Sequence, residues 1–207
     1  MIASFFNLPY IGRFFNQLIG LLYDGVSRLK NYFNQGHGYI HVDILVLSQR
    51  YSAIEIERFI TQTSNELQEV MDVQVVKGTL TIDHSAPFRA RRPSCNLKGW
   101  WADLGKTGVY YDRKAAPYRK SWRQRRLLLV VVDDFADGFT GCALGPFTDY
   151  LHVTTLNSTL LRHELMHKCG LMHRKQQTNL MHPKCQGTDL TKFQRHMARS
   201  SSFIHYA

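Results

Sequence analysis

The chain is short of acidic residues, of cysteine and of uninterrupted apolar runs, and each shortage excludes something. Its 16 Asp and Glu stand against 26 Lys and Arg, and the resulting net charge of +10 points to acidic partners such as nucleic acid, anionic lipid or an acidic polymer. Four cysteines, Cys95, Cys142, Cys169 and Cys185, are too few for a disulfide scaffold and leave room for two bridges at most. No apolar run suits a membrane span, because the richest, in the first thirty-odd residues, is broken by Arg13, Asp24, Arg28 and Lys30. That region is also a poor secretion signal, since no positive residue precedes its apolar part and Asn7, Pro9 and Gly12 interrupt it. The compartment is therefore not set by the sequence, and peripheral membrane association stays open.

What this region does have is period. Ile11, Phe15, Leu18, Leu22, Val26, Leu29 and Phe33 recur at three- and four-residue spacing, so residues 1–36 read as an amphipathic helix and a linker. Three roles are open to it: packing on the domain's own surface, engaging a membrane surface or a partner helix through residues 10–33, or acting as a removable inhibitory segment. The remainder, 37–207, is of a size for one domain, and 44% hydrophobic content is enough for a core.

The chemistry concentrates between His163 and His173. His163-Glu164-x-x-His167 needs a helix, where positions i and i+4 present two imidazoles to one ion. Leu160, Leu161, Leu165 and Met166 supply its buried side, and Asn157 or Ser158 can cap its start. Gly170 ends the helix by reversing the backbone, which brings His173 back as a third ligand. Three histidines leave one position of a zinc ion open, as in catalytic sites, and Glu164 is held beside the metal to take a proton from water. An ion-free structural cluster of histidines is the alternative. His182 falls outside the ligand spacing.

The pattern His163-Glu164-x-x-His167-x-x-Gly170-x-x-His173 resembles the extended motif of the metzincin metallopeptidases, and Asn179-Leu180-Met181-His182-Pro183 resembles their methionine turn. Met181 lies eight residues past His173, and this spacing, like Pro183, is similar to the matrixin branch; Arg174 departs from it, standing where matrixins usually carry serine. The resemblance implies an α+β, zincin-like fold: a mixed twisted β-sheet, one long helix, an active-site helix and a small C-terminal subdomain. It implies one catalytic Zn2+ on His163, His167 and His173, with Glu164 as general base and Met181 flooring the site. It further implies an edge strand at Gly141, Cys142 and Ala143 that pairs with an extended substrate, and a pocket wall after Pro183. Calcium is compatible with Asp133, Asp134 and Asp137, as is a plain polar strand end. Arg92-Pro93-Ser94-Cys95-Asn96 faintly resembles the latency switch of some matrixins, and a Cys169–Cys185 bond would brace the ligand loop.

Along the chain, Tyr39–Leu47 reads as a strand and Ala53–Met71 as a helix with a Ser52/Glu55 capping box. Val73–Val76 and Thr79–Ile82 form a second extended segment bent at Gly78. Leu127–Val132 is a strand buried on both faces, Phe139–Gly145 and Asp149–Leu156 are two more strands, and Thr188 or Asp189 caps a closing helix with Leu190, Phe193 and Met197 inward. Residues 88–126 break the pattern, with twelve Lys or Arg against Asp103 and Asp112, a surplus equal to that of the whole chain. Trp100, Trp101, Tyr110, Tyr111, Tyr118 and Trp122 are interleaved there. This insertion reads as a solvated loop pinned by its aromatics, as a nucleic-acid surface, or as a basic rim recruiting acidic protein substrates. The function expected is a zinc endopeptidase. The alternatives are a non-catalytic zinc-stabilised binding module, which has no need of Glu164, and a zinc amidase acting on a non-peptide or cell-wall amide.

Overall fold

Two apolar runs form the middle of the sheet, and the rest of the chain is laid over them. The computed structural model describes residues 9–34, 36–96, 106–115, 125–143 and 148–206, with side chains of the first helix from Leu18 onward. Strands β1 (Gly38–Val46) and β3 (Leu127–Val131) run parallel, paired from Val42↔Leu127 to Val46↔Val131. The order is β2-β1-β3-β5-β4, with β2 (Val73–Ile82) and β5 (Tyr150–Val153) parallel to their neighbours and β4 (Gly141–Cys142) antiparallel at the edge. A last strand, β6 (His205–Tyr206), pairs antiparallel with Gly38 and Tyr39 at the start of β1. The sheet is thus mixed, as expected. The bend expected at Gly78 is a register irregularity within one strand, where the Asp43 carboxylate accepts the Thr79 N–H at 2.8 Å.

Successive strand residues face opposite ways. Leu127, Leu129 and Val131 therefore join Val42, Ile44 and Val46 in one core, while Leu128, Val130 and Val132 join Leu45 and Leu47 in a second. Covering on both faces is why this stretch has no polar alternation. Helices α2 (Ala53–Met71) and α5 (Ser158–Lys168) lie over the first core. α2 buries Ile56, Phe59, Ile60 and Leu67 and begins at the expected box: Glu55 N–H donates to Ser52 Oγ, and Ser52 N–H donates to Glu55 Oε2 at 2.8 Å.

The second core takes in part of the basic segment, whose expected pinning by aromatics it shows at two residues. Among its described residues are two helices, α3 (Phe88–Arg91) and α4 (Lys106–Ala115). Tyr111 is fully buried with its hydroxyl donating to Ala90 O at 2.9 Å, and Tyr110 donates to Asp83 at 2.8 Å. These two aromatics anchor the segment to the domain, so they are not free to stack on bases. The basic residues are partly spent on the sheet end: Arg91 pairs with Asp133, Arg92 with Asp134, and the Asp137 carboxylate accepts the Cys95 N–H at 2.8 Å. The three aspartates considered for calcium are thus engaged by the protein itself. Trp100, Trp101, Tyr118 and Trp122 lie outside the described residues.

Two further expectations change. The closing helix α6 (Lys192–Arg199) is capped by Thr191, not by Thr188 or Asp189, in a box with Gln194. Gln194 is turned inward to reach Asn179 at 2.8 Å, which leaves Phe193, about 100° round the helix, exposed. The disulfide joins Cys95 to Cys142; Cys169 and Cys185 are free thiols, the first wholly buried in the core beneath α5. Cys95 therefore has no thiol to offer as a latency switch.

The first helix, α1 (Pro9–Asn31), packs on the domain by its polar side. Asp24 is buried, and its carboxylate accepts from Ser202 N at 2.9 Å and Oγ at 2.6 Å. Asn31 donates to Ser201 O and Ile204 O, both at 3.3 Å. Among the described residues, no helix is long and apolar enough to cross a membrane.

Candidate metal centre

α5 carries the His163-x-x-x-His167 pair and is fixed at both ends. Asn157 Oδ1 accepts the Leu160 N–H at 3.1 Å at its start. The Glu66 carboxylate of α2 accepts from Ser158 Oγ at 2.9 Å and pairs with buried Arg162 at 2.9 Å. At the other end Gly170 takes φ +88, the left-handed conformation the turn requires. Gly170 N–H donates to His167 O and Leu171 N–H to Met166 O, both at 2.9 Å, the paired bonds of a Schellman turn. Arg28 of α1 closes the remaining carbonyl: its Nη2 donates to Cys169 O at 2.9 Å and its Nη1 to Met197 O at 3.1 Å, while its Nε donates to Asp24 at 2.7 Å.

That turn delivers His173 to the other two histidines. The three Nε2 atoms lie 3.0 Å (His163 to His167), 3.1 Å (His167 to His173) and 3.2 Å (His163 to His173) apart. Two of the tautomers follow from the surroundings. The His163 Nδ1–H donates to Leu180 O at 2.7 Å, and the His167 Nδ1–H to Leu171 O at 2.8 Å. Each ring then turns an unprotonated Nε2 to a common point, where lone pairs repel unless a cation lies among them. Tetrahedral zinc with Zn–N near 2.0–2.1 Å places its nitrogens about 3.3 Å apart, so the donor set fits the ion. Burial pushes His167 down to about 4 and lowers His163 as well, which keeps both in the neutral form a metal needs. Among the described residues, these three alone bring metal-binding atoms together in a group. Burial falls from His163 to exposed His173, so the centre opens to solvent on that side.

Glu164 is buried beside the edge strand. A Cβ on Gly141 would lie 2.6 Å from Glu164 Oε1 and 2.7 Å from Leu160 Cδ1, so only glycine allows β4 this close to the helix. Burial pushes the Glu164 carboxyl up to about 8, against the opposing pull of Lys168 and of the Ala143 amide. Lys168, one turn further, is wholly buried, donates to Thr148 Oγ1 and lies 5.7 Å from the centre of the Tyr150 ring. Gly141 and Ala143 thus border Glu164, and Cys142 between them ties that strand to Cys95.

Met181 is fully buried in the same core as α5, next to Leu180, whose carbonyl orients His163. The turn is held by Asn179, which accepts the Met181 N–H at 3.0 Å and exchanges amide bonds with Gln194. Pro183 is exposed two residues on. His182 accepts the Lys184 N–H at 3.3 Å and stays outside the ligand group. Sequence reasoning missed the Leu171 and Leu180 carbonyls, which carry no side-chain signature, as well as the Asn179–Gln194 pair and Arg28, whose partners are far along the chain.

No protein-family model matches the sequence, and no curated protein is similar to it. Solved structures do resemble the fold. Metalloproteinase-II from Bacteroides fragilis superposes with a TM-score of 0.54 at 16% identity, over 80% of this chain and 54% of that one. Archaemetzincin from Methanopyrus kandleri gives 0.44 at 13% identity, over 82% and 91%. The present chain spans about half the length of the Bacteroides protein. At such identity the likeness to the Bacteroides protein is one of fold, and it agrees with the α+β, zincin-like class expected from the sequence.

Proposed function

We propose that this chain is a zinc-dependent endopeptidase of metzincin type. The observation that carries the reading is the convergence of three Nε2 atoms within 3.0–3.2 Å beside a buried carboxylate. Zinc bound by His163, His167 and His173 would supply a Lewis acid that acidifies water and polarises a scissile carbonyl. Glu164 takes the proton of the attacking water on its carboxylate and hands it to the leaving amine. Burial raises the Glu164 carboxyl above the ordinary carboxylate range, and a dication held beside it would draw it back toward the ionised base. A purely structural zinc site has no use for such a group.

The other roles follow the same reading. β4 is the edge of the sheet, so Gly141, Cys142 and Ala143 pair through main-chain groups with an extended peptide, tolerant of sequence. Met181 shapes the apolar floor under the imidazoles, and Pro183 begins a wall of the pocket for the residue after the cut bond. The spacing from His173 to Met181 supports a matrixin-like branch, and the basic surplus favours acidic protein substrates. That the Bacteroides metalloproteinase shares the fold is compatible with this reading.

The test is mass-spectrometric mapping of new termini in a denatured proteome incubated with the zinc-loaded chain, beside Glu164→Ala of equal zinc content. New termini with the wild type alone are expected. Folded, zinc-loaded wild type that releases none refutes the peptidase; release of amine from non-peptide amides instead makes it an amidase.

A further inference from the structure

We infer that α1 seats this protein on an anionic membrane surface. The helix is mounted with its polar side inward. Asp24, Ser27, Arg28 and Asn31 face the domain, and the stripe Leu22, Val26, Leu29 and Phe33 is turned to solvent at 68, 66, 79 and 84% exposure, with Leu18 and Ile19 exposed beside it. An amphipathic helix ordinarily turns such a stripe to the core. Here the opposite mounting is fastened by the bonds of Arg28 to Cys169 O and of Asp24 to Ser202, which leaves the stripe for something else to cover. Contiguous apolar faces of this kind are rare on proteins that meet only water.

Charge selects the cover. The first 23 residues contain no acid, and the first acid, Asp24, is buried and paired with Arg28 at 2.7 Å. Lys30 is the one charged side chain among the exposed residues from Leu18 to Asn34. A second copy of the chain would bring the same acid-free face, with its own Lys30, against this one, whereas anionic headgroups complement it. The helix has 23 residues but is not apolar enough to cross a bilayer, so it lies in the interface plane. Because Arg28 also holds the end of α5, the seat fixes how the metal centre faces the surface. The inference does not depend on what that centre catalyses.

The experiment is flotation of the full chain with vesicles of phosphatidylcholine containing about 30% phosphatidylserine, and with phosphatidylcholine alone. Binding to the anionic vesicles is expected, weakening as salt rises. Leu22→Asp and Leu29→Asp should each lower the partition about tenfold or more, with circular dichroism and zinc content unchanged. Leu22→Ser with Leu29→Ser serves should either aspartate variant misfold. Equal partition of folded variants, or a wild type that does not float, overturns the proposal. So does a vesicle-free dimer in light scattering that the same substitutions dissociate, since the stripe is then a self-interface, and so does binding of anionic RNA by a chain that ignores vesicles.

Discussion

Replacing Gly141 with alanine is expected to disable the centre while leaving its metal in place. The new Cβ would stand 2.6 Å from Glu164 Oε1 and 2.7 Å from Leu160 Cδ1, where real contacts do not fall below 3.0 Å. Glu164 and Leu160 are one turn apart on the same face of α5, so a rotamer change of one does not relieve the other. The ends of both side chains must move aside, or β4 must retreat by about half an ångström, at an overpacking cost of about 1–3 kcal/mol in this buried site. α5 is held by Asn157, Glu66 and the Arg28 bond to Cys169 O, so the shift falls on β4, on the Leu160 side chain and on the Glu164 carboxylate. Displacement on this scale costs up to about a hundredfold in rate where a proton-transfer group is concerned. The assay pairs turnover of a peptide found in the terminus map with zinc stoichiometry and thermal melting. Turnover should fall by one to two orders of magnitude, about one zinc per chain should remain, and the melting temperature should drop by a few degrees. Wild-type turnover in a folded Gly141→Ala chain would refute the close approach of β4 to Glu164, and with it the assignment of that strand to the site.

Three other outcomes follow. Reducing the Cys95–Cys142 bond, which closes 47 residues of sequence separation, should cost about 4 kcal/mol in urea unfolding by loop entropy; an unchanged midpoint in reductant would show the bridge contributes nothing. Burial pushes His152 down to about 3 from an ordinary 6.5, with Lys168 adding to it, so unfolding takes up a proton between those values. The neutral imidazole's contribution is complete above pH 6.5 and is lost as pH falls toward 3, with a slope of at most about 1.4 kcal/mol per unit. His152→Leu should flatten the stability curve between pH 6.5 and 4 by that slope, and a curve parallel to wild type would contradict the burial. Arg28→Ala removes the donor to Cys169 O and should weaken zinc about tenfold in chelator competition by loosening the turn that delivers His173. Unaltered zinc affinity would show that the turn stands without it.

The histidine cluster was legible in the sequence because its members are local. His163, His167, Gly170 and His173 sit within eleven residues, and helix period plus one left-handed turn is enough to bring the imidazoles together. The sheet was legible for a similar reason: unbroken apolar runs such as Leu127–Val132 have no stable place except between two layers. The closing helix was misread at Phe193 because its facing depends on Gln194 meeting Asn179, a contact fifteen residues away that no period records. The cysteines were misread for the same reason, since pairing follows from which strands and helices meet, and β4 meets Cys95 where nothing in the spacing said so. Amphipathic period determined that α1 is a helix with two unlike sides. Only the tertiary structure decided which side faces in, because the choice rests on Asp24, Arg28 and Asn31 finding partners between residues 169 and 204.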